Sequence, residues 1–346
     1  MKNLTAHDIL AIEDGAPESL FSVGNYDSIE VEYKEYLKRW HPDVNGNPMA
    51  SDVTQKIIRL RKAAVKKVTD GVWEYPNVLM LQTERGAVNF RYLKKTAAEI
   101  GEVYIGKKHV IFLVDATEKE LIPRFTRNFP FKFADEEMKE NMSRCLPTLY
   151  NKYGKIETHG KVGVVVNRPD GYILLKDLMD HVGGKMDYRH AAWMMSCLCN
   201  INCYLFWEHF VHGGISPYSC FVNPEKHSIA LLGSWWYGER YQDQLRIVPN
   251  YSIALLPDVM KKRRADYVID LELSKHIGRT LLGDYSGAKL YRDPDIPRSF
   301  INWVTSPSAG NALLDYEEWV RARDKMGPRK FTNMGITDRD VYKMEE

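Results

Sequence analysis

At 346 residues the chain is long enough for two or three domains, and its 44% apolar content supplies material for sizeable cores. The 48 basic residues are balanced by 46 acidic ones, and a net charge of +2 excludes the strong global field of a general nucleic-acid binder. No apolar run reaches the ~18 residues of a membrane-spanning helix, and no apolar leader opens the chain, so the sequence reads as cytoplasmic with no membrane partner.

From the N-terminus, residues 1–70 read as helical around a loop at 14–24. Ile29, Tyr33, Tyr36, Leu37 and Trp40 recur at helical spacing over 27–40, with Lys34, Lys38 and Arg39 interleaved. Pro42 stops that helix and holds His41 and Asp43 in a turn, and Val44-Asn45-Gly46-Asn47-Pro48 keeps the chain out of helix. A second apolar stripe follows in Val53, Ile57, Leu60, Ala64 and Val68.

The periodicity changes across 71–76, which predicts a domain boundary at 72. Strands are predicted at 78–81, 87–93, 102–105, 110–114 and 161–167, punctuated by Gly86, Gly101 and Gly106. A helical stretch is predicted at 134–153, interrupted by Pro147. Beyond residue 174 the chain reads as mostly helical, with a buried helix over 187–210 and further helices at 255–282 and 313–325. Cys145, Cys197, Cys199, Cys203 and Cys220 are odd in number and lack a Cys-x-x-Cys pair, so they read as reduced thiols, with Cys197, Cys199 and Cys203 as small buried hydrophobes. The histidines form no zinc-binding pair, so no metal site is expected. The basic run 261–264 reads as a solvated helix face.

Two amphipathic helices joined by a loop presenting His41-Pro42-Asp43 resemble the J-domain. That resemblance implies docking on a DnaK-type chaperone and stimulation of its ATP hydrolysis. It assigns the contacts to His41, Pro42 and Asp43, supported by Lys34, Lys38 and Arg39. One departure is a long loop between the first short helix and residue 26.

A second resemblance lies in Val211-His212-Gly213-Gly214-Ile215-Ser216-Pro217, followed by Cys220-Phe221-Val222 and by Ile229 through Trp235. This order looks like the catalytic region of the protein-kinase superfamily, where a buried helix leads to a His-x-Asp loop, a hairpin and a metal-binding turn. Phosphoryl transfer there needs an Asp for the hydroxyl and an Asn and a second Asp for Mg²⁺. Here Gly214, Ser219 and Gly233 stand at those three positions, so the resemblance implies a degenerate site with no cofactor. His212 is expected to keep an architectural role, and Trp235, Trp236 and Tyr237 to pack in the core.

The expected fold is therefore α+β, with a J-domain-like all-α helical hairpin at 1–72. A two-lobed protein-kinase-like domain follows, its small strand-rich lobe at 73–168 and its larger helical lobe at 169–326, with a tail at 327–346. The expected function is that of a non-catalytic co-chaperone or adaptor. Its head recruits a DnaK-type chaperone, and its pseudokinase body binds an unknown protein client. Two alternatives stay open: a divergent nucleotide-using transferase acting through Asp115, Glu118 or Asp170, and a pure interaction scaffold with an inactive head.

Overall fold

The computed structural model describes residues 2, 4–22, 24–71, 73, 77–127, 129–328 and 332–344. Residue 72, where the boundary is expected, lies outside them, as do 329–331 and 345–346 of the expected tail. Contacts divide the chain into two compact units, residues 1–81 with 87–92 and residues 82–86 with 93–346.

The first unit carries helices α1 (Ala6–Ala11), α2 (Tyr26–Trp40) and α3 (Ala50–Thr69). Thr5 and Asp8 close a capping box on α1, and the Asn25 side chain accepts the Ser28 N–H at 2.8 Å to start α2. Ile29, Tyr36 and Trp40 from α2 meet Val53, Ile57, Leu60 and Ala64 from α3 in one buried cluster. The long segment before α2 is not a slack excursion, because Leu20 and Phe21 enter the same cluster. The Tyr36 hydroxyl donates to Leu20 O at 3.2 Å. The Glu18 carboxylate meets Lys67 at 2.8 Å, and Asp14 meets Lys56 at 2.6 Å, so this segment is tied to α3 twice.

Strands follow as β1 (Val78–Thr83), β2 (Gly86–Ala97), β3 (Glu102–Gly106) and β4 (His109–Asp115). Helices α4 (Leu121–Thr126) and α5 (Glu136–Met142) lead to β5 (Ile156–Thr158) and β6 (Lys161–Asn167). Their order, β1-β2-β3-β4-β6-β5, closes into a barrel. Closure depends on the three residues of β5. They pair with β6 through Ile156↔Gly163 and with β1 through Thr83↔Ile156, so neither edge is left open.

The rest is mostly helical. It contains β7 (Ile173–Leu174), α6 (Leu175–His181), α7 (Tyr188–Trp207), β8 (Phe210–Val211), β9 (Cys220–Asn223) and β10 (Ser228–Leu231). Then come β11 (Glu239–Arg240), α8 (Asn250–Leu255), α9 (Pro257–Lys261), α10 (Tyr267–Leu281), α11 (Arg298–Thr305), α12 (Ala312–Asp324) and α13 (Asp338–Tyr342). Their apolar faces share one core, in which Met194, Leu198 and Ile201 of α7 are buried together with Ile269, Leu273 and Ile277 of α10.

This architecture corrects the expected fold class. A closed six-stranded barrel with a mostly helical region replaces the J-domain-like hairpin plus two-lobed kinase-like body. The names J-domain and pseudokinase, which rested on that body plan, are set aside with it. Three physical reasons account for the difference. The short strand β5 closes the sheet. The helix expected over 134–153 stops at Met142, and Leu149 instead bridges to Val166 as extended chain. The chain at Arg168-Pro169 is pinned. Arg168 is buried and donates to Tyr172 O at 2.7 Å, Lys107 O at 2.9 Å and Asp338 Oδ2 at 2.7 Å. A buried guanidinium with its donors spent on three segments resists bending at that point.

Among the described residues, no helix is long and apolar enough to cross a membrane. All five cysteines are free thiols. Burial pushes Cys197 and Cys220 up to about 12 and Cys203 to about 11, so the thiolate is suppressed at each.

Trp40 and Leu60 are buried on facing helices. Trp40→Ala or Leu60→Ala should each destabilise the first unit by about 2–5 kcal/mol. Chemical denaturation followed by far-UV circular dichroism measures this, and a loss below ~1 kcal/mol at both sites contradicts the packing.

Candidate functional site

The first candidate is the loop between α2 and α3. Helix α2 ends at Trp40, because His41, preceding proline, takes an extended conformation at φ −62° and ψ 132°. The His41 carbonyl then accepts the N–H groups of Val44 at 3.0 Å and Asn45 at 2.9 Å, which tightens the turn. Two asparagines fasten the rest of the loop. Asn45 Nδ2 donates to Arg39 O at 2.8 Å, and its Oδ1 accepts the Asn47 N–H at 2.9 Å. Asn47 Oδ1 accepts the Met49 N–H at 2.9 Å. Across the helix pair, the Thr54 hydroxyl donates to Trp40 O at 2.7 Å. The backbone is therefore fixed although the side chains face water.

His41, Pro42 and Asp43 are all exposed, with the side chains of His41 and Asp43 at 48% and 84%. The Asp43 N–H donates to His41 Nδ1 at 3.2 Å, and the Asp43 carboxylate lies 3.6 Å from the same nitrogen. Lys34, Lys38 and Arg39 are exposed on α2. Lys38 and Arg39 occupy its last turn, where the helix dipole favours positive charge. The Arg39 guanidinium lies 5.7 Å from the Trp40 ring centroid. The structure thus gathers the six sequence-predicted residues on α2 and the turn that ends it. Asn45, Asn47 and Thr54, which fasten the turn, were not singled out as site residues; the Asx-turn habit of asparagine was the available signal.

The second candidate is the loop at His212. The Asp270 carboxylate of α10 accepts the N–H of His212 at 2.6 Å and of Gly213 at 2.8 Å. His212 Nε2 lies 3.0 Å from Gly233 O and so carries the proton, while Nδ1 accepts the Gly214 N–H at 3.2 Å. Gly213, at φ +71°, sits in the left-handed region. Ser219 is buried, its Oγ donating to Ser216 O at 3.1 Å and accepting the Ser216 N–H at 2.9 Å. That hydroxyl is spent on its own turn.

The positions of Gly214 and Gly233 are filled by neighbours. A Cβ on Gly214 would lie 2.6 Å from Tyr237 Cδ2, and one on Gly233 would lie 2.9 Å from Phe112 Cε1. Tyr237 belongs to the short helical turn 235–237, in which Trp235, Trp236 and Tyr237 are all buried. Trp235 packs edge-on to His212 with ring centroids 4.7 Å apart, and Trp236 lies 5.5 Å from Phe125. Arg124 donates to Trp236 O at 3.1 Å and pairs with Glu239 at 2.6 Å, and Arg127 meets the other Glu239 oxygen at 2.7 Å. The sequence carried no local sign of this Arg124–Glu239–Arg127 clamp, which joins α4 to a strand more than a hundred residues away. Asp115 and Glu118 are exposed at the end of β4, and Asp170 is exposed beyond β6. Asp115 caps the turn 116–118 by accepting the Thr117 N–H at 2.9 Å.

Burial drives the two titratable groups of this loop toward their neutral forms. His212 is held down to about 3, and Asp270 is pushed up to about 7 against the pull of its two N–H donors. Among the described residues, no group of three or more His, Cys, Asp or Glu could hold a metal ion. Compared with protein-family models and with curated proteins, the chain matches none.

Two measurements test this geometry. Gly214→Ala should cost about 1–3 kcal/mol by overpacking, and the cost should shrink in a Tyr237→Ala background, leaving the part due to Ser234 Cβ at 3.0 Å. Equal costs in both backgrounds, read by denaturant titration, contradict the contact. The second concerns pH. His212, depressed when folded, withdraws stability as pH falls from its unfolded ~6.5 toward 3, because the unfolded chain then binds the extra proton. Asp270, raised when folded, has the opposite sign: its contribution is lost as pH rises from an unfolded ~3.9 toward 7. Between pH ~4 and ~6.5 the two oppose each other. Asp270→Asn should therefore make the melting temperature fall more steeply on acidification through that window than in the wild type. An unchanged slope contradicts the assignment.

Proposed function

We propose that the chain is a non-catalytic adaptor that recruits a DnaK-type chaperone through the His41–Asp43 loop of its first unit, the second unit holding a protein client. The observation that carries this reading is the loop itself. Three exposed side chains of distinct chemistry, an imidazole, a proline ring and a carboxylate, stand on a backbone already fastened by Asn45, Asn47 and Thr54. A fixed backbone spares the ordering cost that a mobile loop pays on binding. The exposed Lys34, Lys38 and Arg39 on the adjoining helix supply positive charge that steers an acidic partner toward it. Support for the non-catalytic half comes from the second unit. Tyr237 and Phe112 occupy the space a side chain would need at Gly214 and Gly233, and the Ser219 hydroxyl is committed to Ser216.

The test is single-turnover ATP hydrolysis by a DnaK-type chaperone with and without the full chain. Stimulation should be abolished by His41→Gln or Asp43→Asn at every salt concentration, with folding intact, because loop-tip side chains carry little packing. Lys34→Glu or Arg39→Glu should weaken stimulation most at low salt, since exposed charges are screened beyond about 8 Å at physiological ionic strength. Stimulation that survives both loop variants sinks the proposal, as does the absence of stimulation by a chain shown to be folded.

A further inference from the structure

The loop that presents His41 to Asp43 is fastened by an asparagine followed by glycine, the residue that least hinders attack of its backbone nitrogen on the preceding side-chain amide. Asn45-Gly46 is the only Asn-Gly step in the sequence. We propose that Asn45 is a deamidation site, and that its conversion to aspartate or isoaspartate unfastens the loop.

Four features of the site promote the reaction. Gly46 is exposed and has no neighbour within 4 Å of where a Cβ would stand, so nothing packed around it blocks a local excursion of its nitrogen toward the Asn45 side chain. The Gly46 N–H makes none of the backbone hydrogen bonds that hold its neighbours Asn45 and Ala50, so its deprotonation breaks no such bond. The Asn45 side chain is already folded back over its own chain, because Oδ1 accepts the Asn47 N–H at 2.9 Å. That same N–H sits on the oxygen where negative charge develops when a nucleophile adds to Cγ, and so it stabilises the tetrahedral adduct.

The chemistry balances without any redox partner. The deprotonated Gly46 nitrogen attacks Asn45 Cγ and forms a C–N bond. The Cγ–Nδ2 bond breaks, and the amide leaves as ammonia after taking up a proton. The resulting five-membered imide is opened by one water molecule, at either carbonyl, to give aspartate or isoaspartate. Because the nucleophile is an amide anion, the rate rises with pH.

The consequence lies in the hydrogen bonds lost. The Nδ2 donor to Arg39 O is replaced by a carboxylate oxygen, so an attraction at 2.8 Å becomes a repulsion between two acceptors. In the isoaspartate the main chain also gains a methylene, which displaces Asn47 and the Met49 amide that Asn47 holds at the start of α3. A negative charge is added beside the backbone of Arg39 at the basic end of α2. Only the effect on partner docking rests on the adaptor reading; the modification and the loosening do not.

The experiment ages the full chain in mildly alkaline buffer at 37 °C and maps the peptides that carry Asn45, Asn141 and Asn151 by mass spectrometry. The NH₂-to-OH mass gain should concentrate at Asn45 and outpace that at exposed Asn141 and Asn151, which precede Met and Lys. Gly46→Ala should slow the gain about tenfold, because alanine restricts the backbone that must rotate. Equal gain at the three asparagines, or a rate indifferent to Gly46→Ala, overturns the site. In the aged protein and in Asn45→Asp, amide hydrogen exchange over 45–50 should accelerate; unchanged exchange overturns the unfastening. Chaperone stimulation is read on fresh and aged protein in parallel. Its absence from fresh protein overturns the adaptor reading alone, while equal stimulation by fresh and fully aged protein overturns the link between loop and docking.

Discussion

A carboxylate removed from water has to be given donors, and in the second unit that constraint organises everything around it. Asp270 takes the backbone N–H groups of His212 and Gly213. Those two bonds set the path of the loop, and Gly213 supplies the left-handed conformation the path needs. With the loop set, the His212 imidazole reaches Gly233 O from within the core. Gly233 in turn precedes the turn that buries Trp235, Trp236 and Tyr237. Breaking the pair by removing one member leaves orphaned donors or acceptors in an apolar interior, where each costs about 1–3 kcal/mol. The network is therefore cooperative, and it closes the loop rather than presenting it.

The first unit solves the same problem of fixing a loop with neutral groups in water. Asn45 and Asn47 use side-chain amides to bond the backbone, and Thr54 ties the end of α2 to α3. These bonds compete with solvent, so each contributes about 1 kcal/mol or less. The contrast matters for function. The buried loop is rigid because opening it strands buried hydrogen-bonding groups, whereas the exposed loop is ordered yet open to chemistry from outside, including a partner's surface and water.

Exposed and buried charges do different work. Lys34, Lys38 and Arg39 are exposed, so their effect is on encounter and falls with salt. Arg124, Arg168 and Glu239 are buried, and each meets its opposite charge or a carbonyl within hydrogen-bond distance. Such groups specify which segments meet; they contribute little net stability over an apolar substitute.

Local features of the sequence were enough to locate the helical stretches around 27–40 and 53–68, the strands near 102–105, 110–114 and 161–167, and the exposed tripeptide between two helices. Each is written in residues a few positions apart: apolar spacing, a proline, a glycine. Barrel closure was not legible, because β5 is three residues long and one of its two partners, Thr83, is distant in sequence. Nor was the role of Arg168, on whose guanidinium three separate segments converge. That Gly214 and Gly233 carry no side chain could be read from the sequence, but the side chains that pack against them could not. Periodicity and turn chemistry are properties of the chain's near neighbours, and the sequence determines them directly. Sheet closure, charge burial and the packing of Tyr237 and Phe112 against glycines are decided by which distant surfaces exclude water together, and only the tertiary structure makes that choice.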